Sequence, residues 1–98
     1  MSKLFNIYNE YNILRAELVR TTDPKYLSLM TNDFQVYVRI KVAKKIDEKY
    51  LSKMMNYRDG IVRLEVAKRI NKKYLQLMLN DKNEFIKSEI NKRLLKYK

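Results

Sequence analysis

The sequence predicts an all-α fold: a short α-solenoid of about three to four 24-residue units, each a short helix followed by a longer one, behind an N-terminal capping helix. Three observations carry that expectation. Glycine and proline occur once each in 98 residues, whereas all-β chains need turn residues at about every 8–12 positions. Three segments, 26–49, 50–73 and 74–97, align without a gap. In the second half of each segment, aliphatic residues recur four apart, the spacing of one helical face. Hydrophobic residues make up 46% of the chain, enough for one core and against wholesale disorder. A single domain over 1–98 is the expectation from length.

The repeat is specific. Tyr26, Leu27, Ser28, Met30, Asn32, Val38, Arg39, Val42, Ala43, Lys44, Ile46 and Lys49 all recur 24 residues later. Tyr50, Leu51, Met54, Asn56, Glu65, Lys68, Arg69 and Lys72 recur again in the third segment. A fainter half-unit lies upstream, where Leu14, Arg15, Leu18, Val19 and Arg20 correspond to Val38, Arg39, Val42, Ala43 and Lys44.

The elements follow in order. Residues 2–21 read as a capping helix started by Ser2, with an apolar face at Leu4, Ile7, Tyr8, Tyr11, Leu14 and Leu18; the end units of a solenoid need an atypical outer face. Asp23, Asp47 and Asn71 are N-caps at one phase, and Pro24 takes a first helical position. The short helices bury Leu27, Met30 and Thr31, then Leu51, Met54 and Met55, then Leu75, Met78 and Leu79. The pairs Asn32-Asp33, Asn56-Tyr57 and Asn80-Asp81 supply a turn and a fresh cap. The longer helices bury Val38, Val42 and Ile46, then Val62, Val66 and Ile70, then Ile86, Ile90 and Leu94. Lys92 to Lys98 closes the far end. Tyr26, Tyr50 and Tyr74 adjoin buried leucines and are expected to pack on the core with their hydroxyls at its edge; the methionines are core fillers.

A rival reading is a leucine-rich horseshoe containing β-strands, since Leu27-x-Leu29-x-x-Asn32 and Leu75-x-Leu77-x-x-Asn80 match part of that pattern. Against it, Pro24, Glu48 and Lys72 stand where the upstream leucine belongs, and Lys53 breaks the middle unit. Leu-x-x-Met before an Asn turn, followed by Val-Arg-x-x-Val-Ala, resembles instead the leucine-rich repeat variant group of the HEAT-like α-solenoids. The match spans roughly residues 9–97 and is nearest over 33–43 and 59–67. The resemblance implies a right-handed stack of helix pairs used as a binding scaffold, with no fixed partner. Relatives with an attached iron–sulfur module carry a cysteine cluster that this sequence lacks, and no acidic constellation matches the DNA-glycosylase members.

Function is read first from what is missing. Cysteine and histidine are absent, which removes disulfides, the usual zinc and iron–sulfur ligands, thiol nucleophiles and the commonest general base. No catalytic constellation stands apart from the repeat, so the expectation is a non-enzymatic binding protein without cofactor or metal. No apolar h-region or 18-residue apolar run occurs, and a cytoplasmic location without membrane contact is expected. Twenty-two Lys and Arg against eleven Asp and Glu give a net charge of +11, a field that favours anionic partners; Lys-, Asn- and Tyr-rich usage also arises from base-composition bias.

At about 100° per residue along the longer helix, two basic ladders separate. Arg15, Arg39, Arg63 and Lys87 fall within the apolar arc, where an arginine satisfies neighbouring caps and carbonyls; Asp33, Asp59 and Asp81 are the candidate acceptors. Arg20, Lys44, Lys68 and Lys92, doubled by Lys45, Arg69 and Arg93 and joined by Lys41, are expected to project outward. Ile13, Tyr37, Ile61 and Phe85 form an apolar column beside them, the last three alternatively packed against the adjacent short helix. Cations beside exposed rings suit nucleic acid or a nucleoprotein. The alternative partner is an acidic protein surface, engaged by an adaptor or inhibitor of regulatory or phage type. Self-association through the apolar column is a third reading.

Overall fold

Capping residues divide the chain before packing does. Asp23, Asp47 and Asn71 each accept a hydrogen bond from the backbone N–H two residues on, at 3.1, 3.2 and 3.1 Å, satisfying a donor that the helix leaves orphaned. The structure, a computed structural model, describes residues 14–33 and 35–97. In chain order its helices are α1 (described over 14–21), a 3-10 helix (Pro24–Met30), α2 (Val36–Lys45), a second 3-10 helix (Glu48–Met54), α3 (Gly60–Arg69), α4 (Lys72–Leu75) running into a 3-10 turn (Gln76–Met78), and α5 (Glu84–Leu95). No strand occurs among the described residues, so the fold is all-α and the β-containing horseshoe is excluded for them.

The short helices wind tightly because of where their apolar residues fall. Leu27 and Met30, Leu51 and Met54, and Leu75 and Met78 are each three apart, the spacing that a 3-10 helix places on one side. Leu27, Leu51, Met54, Leu75 and Met78 are buried and Met30 packs against them. The longer helices bury Val38, Val42 and Ala43, then Val62, Val66 and Ala67, then Ile86 and Ile90. Ile46 and Ile70 are buried just past the helix ends, each donating its N–H back four residues at 2.8 Å. These side chains form one core cluster, to which Met55, Leu79 and Leu94 add partly buried surface.

Packing proceeds by neighbours. Each short helix lies on the longer helix that follows it, α2 lies on α3, and α3 on α5. The described elements begin at regular steps, Pro24, Glu48 and Lys72 for the short helices and Val36, Gly60 and Glu84 for the longer ones. The principal extents are 54 × 27 × 17 Å.

Three expectations need correction. The longer helices are capped by Gln35, Asp59 and Asn83, not by the Asn pairs before them, and only Asn83 caps with its side chain, accepting from Phe85 and Ile86 N–H at 2.8 and 3.2 Å. Asp33 and Asp81 instead tighten the turn, accepting from the N–H of Gln35 and Asn83 at 3.0 and 2.9 Å. In α1 the buried residue is Val19, while Leu14 and Leu18 are exposed. Their counterparts Val38 and Val42 belong to a helix packed on a preceding short helix; α1 has none among the described residues. Leu4, Ile7, Tyr8 and Tyr11, and Ile13 of the apolar column, lie outside the described residues. Tyr50 and Tyr74 pack on the core as expected, but Tyr26 is exposed.

Candidate nucleic-acid interface

The longer helices carry three kinds of cation, and their surroundings sort them. The first kind is locked. Arg15 Nε donates to Asp33 Oδ2 at 2.6 Å, Arg39 Nε and Nη2 to Asp59 Oδ2 at 3.2 and 2.6 Å, and Arg63 Nε and Nη2 to the Asp81 carboxylate at 2.7 and 3.3 Å. The remaining arm of Arg39 donates to the Asp33 carbonyl, and that of Arg63 to the Tyr57 and Arg58 carbonyls at 2.6 and 2.9 Å. Each of these two arginines therefore ties the turn before its own helix to the turn of the next segment, a use of five fixed donors that lysine cannot reproduce. In the middle turn Tyr57 holds the phase of Asp33 and Asp81; its hydroxyl donates to Asn32 Oδ1 at 2.8 Å, and the acid moves two residues on, to Asp59. Lys87, the fourth in the series, pairs with Glu84 at 3.6 Å.

The second kind was expected to face outward and does not. Lys45, Arg69 and Arg93 are half-buried and reach back to the preceding longer helix. Lys45 Nζ donates to the Val19 carbonyl at 3.0 Å and to the Arg20 carbonyl. Arg69 donates to the Ala43 and Ile46 carbonyls at 2.6 Å each, and Arg93 to the Ala67 carbonyl at 2.8 Å. Those carbonyls sit at the C-terminal ends of α1, α2 and α3, where helices leave acceptors open and carry partial negative charge. One residue further along the helix turns the side chain by about 100°, which is enough to bring it against the neighbouring helix end.

The third kind is exposed: Arg20, Lys44, Lys68 and Lys92. Two of the four are partly compensated by acids on their own helix. Arg20 Nε donates to Glu17 Oε1 at 3.0 Å, a bond that holds the Glu17 carboxyl below its usual range and raises the guanidinium above its own. Lys68 Nζ lies 3.2 Å from Glu65. Beside them Tyr37, Ile61 and Phe85 are 56%, 61% and 79% exposed; the reading in which they pack beneath a short helix is overturned. Lys41 is half-buried, its Nζ 5.3 Å from the centre of the Tyr37 ring. Arg20, Tyr37, Lys41, Lys44 and Lys45 line one groove of about 360 Å³ between α1 and α2, together with Ala16, Glu17 and Val19.

No protein-family model, curated protein or solved structure matches the chain. The chemistry open to this surface therefore rests on its own geometry: long-range attraction of anions, charge-assisted hydrogen bonds to phosphate or carboxylate oxygens, and flat or aliphatic surface for an apolar group. Among the described residues no group of three acidic side chains stands ready to hold a metal, and no helix is long and apolar enough to cross a membrane.

One recurrent feature escaped the sequence reading. Lys25, Lys49 and Lys73 each hold their Nζ 5.1 Å from the ring centre of the next residue, Tyr26, Tyr50 and Tyr74. The signal was present as a Lys-Tyr pair recurring every 24 residues. Neighbours in sequence do not share a helical face under the i, i+3, i+4 rule, so the pairing went unread.

Proposed function

We propose that this chain is a short HEAT-like α-solenoid of the leucine-rich variant type, a non-enzymatic cytoplasmic binding module whose basic face engages nucleic acid or a nucleoprotein. The observation that carries the reading is the division of labour among the cations. Arginines and lysines at two phases are committed to carboxylates and helix ends, while those at the third, Arg20, Lys44, Lys68 and Lys92, are exposed at 24-residue intervals on successive packed helices. Exposed ion pairs such as Arg20–Glu17 and Lys68–Glu65 contribute little to stability, and a net charge of +11 adds a long-range field. Binding is dominated by phosphates and largely independent of sequence.

Changing Lys44, Lys68 and Lys92 together to Glu is expected to abolish binding of a fluorescent oligonucleotide in an anisotropy titration. The same change at Lys25, Lys49 and Lys73 should do much less; equal losses would reduce the interaction to bulk charge. If about six cations neutralise duplex phosphates, log K falls against log salt with a slope of about −5.

The exposure of Tyr37, Ile61 and Phe85 favours a second reading, an adaptor or inhibitor seated on an acidic protein surface with these three as anchors. Under that reading, Tyr37, Ile61 and Phe85 changed to Ser collapse affinity while the salt dependence stays shallow.

A further inference from the structure

We infer that the groove between α1 and α2 seats one nucleotide of a single strand, its base against Tyr37 and its phosphate against Lys44, so that the basic face prefers single-stranded to duplex nucleic acid. The inference rests on the nucleic-acid reading above and makes it specific.

Three features of the groove point this way. Its volume of about 360 Å³ lies in the range of small-ligand sites, about 300–1,000 Å³; Lys92 lines a groove too, with Glu84, Lys87, Ser88, Asn91 and Leu95, but no aromatic ring lines that one. Its cations are unequal. Lys45 is spent on the carbonyls of Val19 and Arg20, and Arg20 is held by Glu17. Lys44 makes no ion pair among the described residues and is exposed, which leaves it as the phosphate ligand. Finally, the ring of Tyr37 is more than half exposed on the same groove wall, with the Lys41 ammonium 5.3 Å from its centre. A base stacked on a tyrosine next to a lysine gains from both the ring and the charge.

Duplex nucleic acid cannot use this arrangement. Its bases are stacked on one another and present only their edges in the grooves, so Tyr37 and Phe85 would meet the sugar–phosphate wall. The acids point the same way. Glu17 within the groove and Glu65 beside Lys68 offset two of the four exposed rungs, which weakens a surface meant to follow the dense phosphates of a duplex. A single strand needs fewer phosphate contacts per unit length because its bases add stacking.

The test compares a single-stranded oligothymidine with a duplex of the same length, by fluorescence anisotropy at one salt concentration, on the full chain. The expected result is tighter binding of the single strand. Tyr37→Ser should weaken the single strand about 5- to 150-fold, the usual range for one base–aromatic stack, and leave the duplex within about twofold, while Tyr37→Phe retains the wild-type preference. Lys44→Ala should weaken both, and Glu17→Gln, by releasing Arg20, should strengthen both. Circular dichroism of each variant establishes that it is folded; all four changes fall on the lining of an open groove. Equal affinity for the two forms, or equal loss from Tyr37→Ser on both, overturns this inference while leaving the broader reading intact. Failure to bind either form, with capture of an acidic protein instead, overturns both.

Discussion

Arg63 and Asp81 are the least exposed ion pair among the described residues, with side chains 9% and 7% exposed. A pair this buried contributes little net stability, but breaking it strands a charge. Arg63→Ala should therefore lower the unfolding free energy by roughly 3 kcal/mol in urea titrations, near the lower end of such losses, because Asp81 keeps its bond from the Asn83 N–H. The pair also sets an acid limit. Burial alone pushes the Asp81 carboxyl up, but the Arg63 hydrogen bond, the Asn83 N–H and the nearby Lys82 charge together pull it below its ordinary 3.8. A lowered native value means that the stabilisation is present above 3.8 and is lost as pH falls through the native value. Asp81→Asn should flatten the fall in urea midpoint in that window; an unchanged slope would assign the acid sensitivity to other carboxylates. Both partners were legible in the sequence, because an arginine recurring inside an apolar arc needs an acceptor nearby.

At the scale of a helix, two consecutive residues perform unrelated tasks. Lys68 faces solvent while Arg69 closes the C-terminal end of α2 through the carbonyls of Ala43 and Ile46. Arg69→Met should cost about 1–2 kcal/mol in thermal or urea unfolding with little change in oligonucleotide affinity. Lys68→Met should show the reverse, stability within about 0.5 kcal/mol and weaker binding; equal effects on both quantities would dissolve the distinction. The sequence reading placed both residues outward, because periodicity reports which face of a helix a residue leaves from. It does not report how far a long flexible side chain bends toward an unsatisfied carbonyl on the next helix. The valine and isoleucine stripes of α2, α3 and α5 were read correctly for the opposite reason: these side chains are short and stiff, so their direction from the backbone is their destination. The caps at Asp23, Asp47 and Asn71 were equally legible, whereas Gln35, Asp59 and Asn83 were not. There the sequence offers several polar residues in a row: Asp33 and Asp81 take an arginine and leave capping to Gln35 and Asn83, whereas Asp59 takes Arg39 and still stands at the cap of α3, without a side-chain cap bond.

At the scale of the molecule, the polar links between segments among the described residues join nearest neighbours: arginine to aspartate over 18 or 20 residues, cation to helix-end carbonyl over 23 to 26. The core contacts follow the same rule, each longer helix lying on the next. If the chain is a solenoid, stability is then close to a sum over units and the interfaces between them. Inserting a second copy of 50–73 after Lys73 should give a folded protein with a higher melting temperature, one more exposed lysine rung, and a steeper salt dependence of oligonucleotide binding. An insert that melts separately from the rest, seen as a second calorimetric transition, would refute additive stacking. The order of the helices was legible because the repeat is free of gaps. The groove between α1 and α2 was not, since it arises where two helices meet.

The short reach of the Arg–Asp and cation–carbonyl locks also bears on synthesis. Among the described residues, a segment of two dozen residues emerging from the ribosome finds its interlocking partners in the segments made just before and just after it. No early part must wait, exposed, for a distant later one. Loop closure stays inexpensive at each step, and a chain dominated by such local contacts belongs with the fast folders. For a protein this rich in lysine and exposed rings, that leaves little time in which a half-made chain offers its core to others.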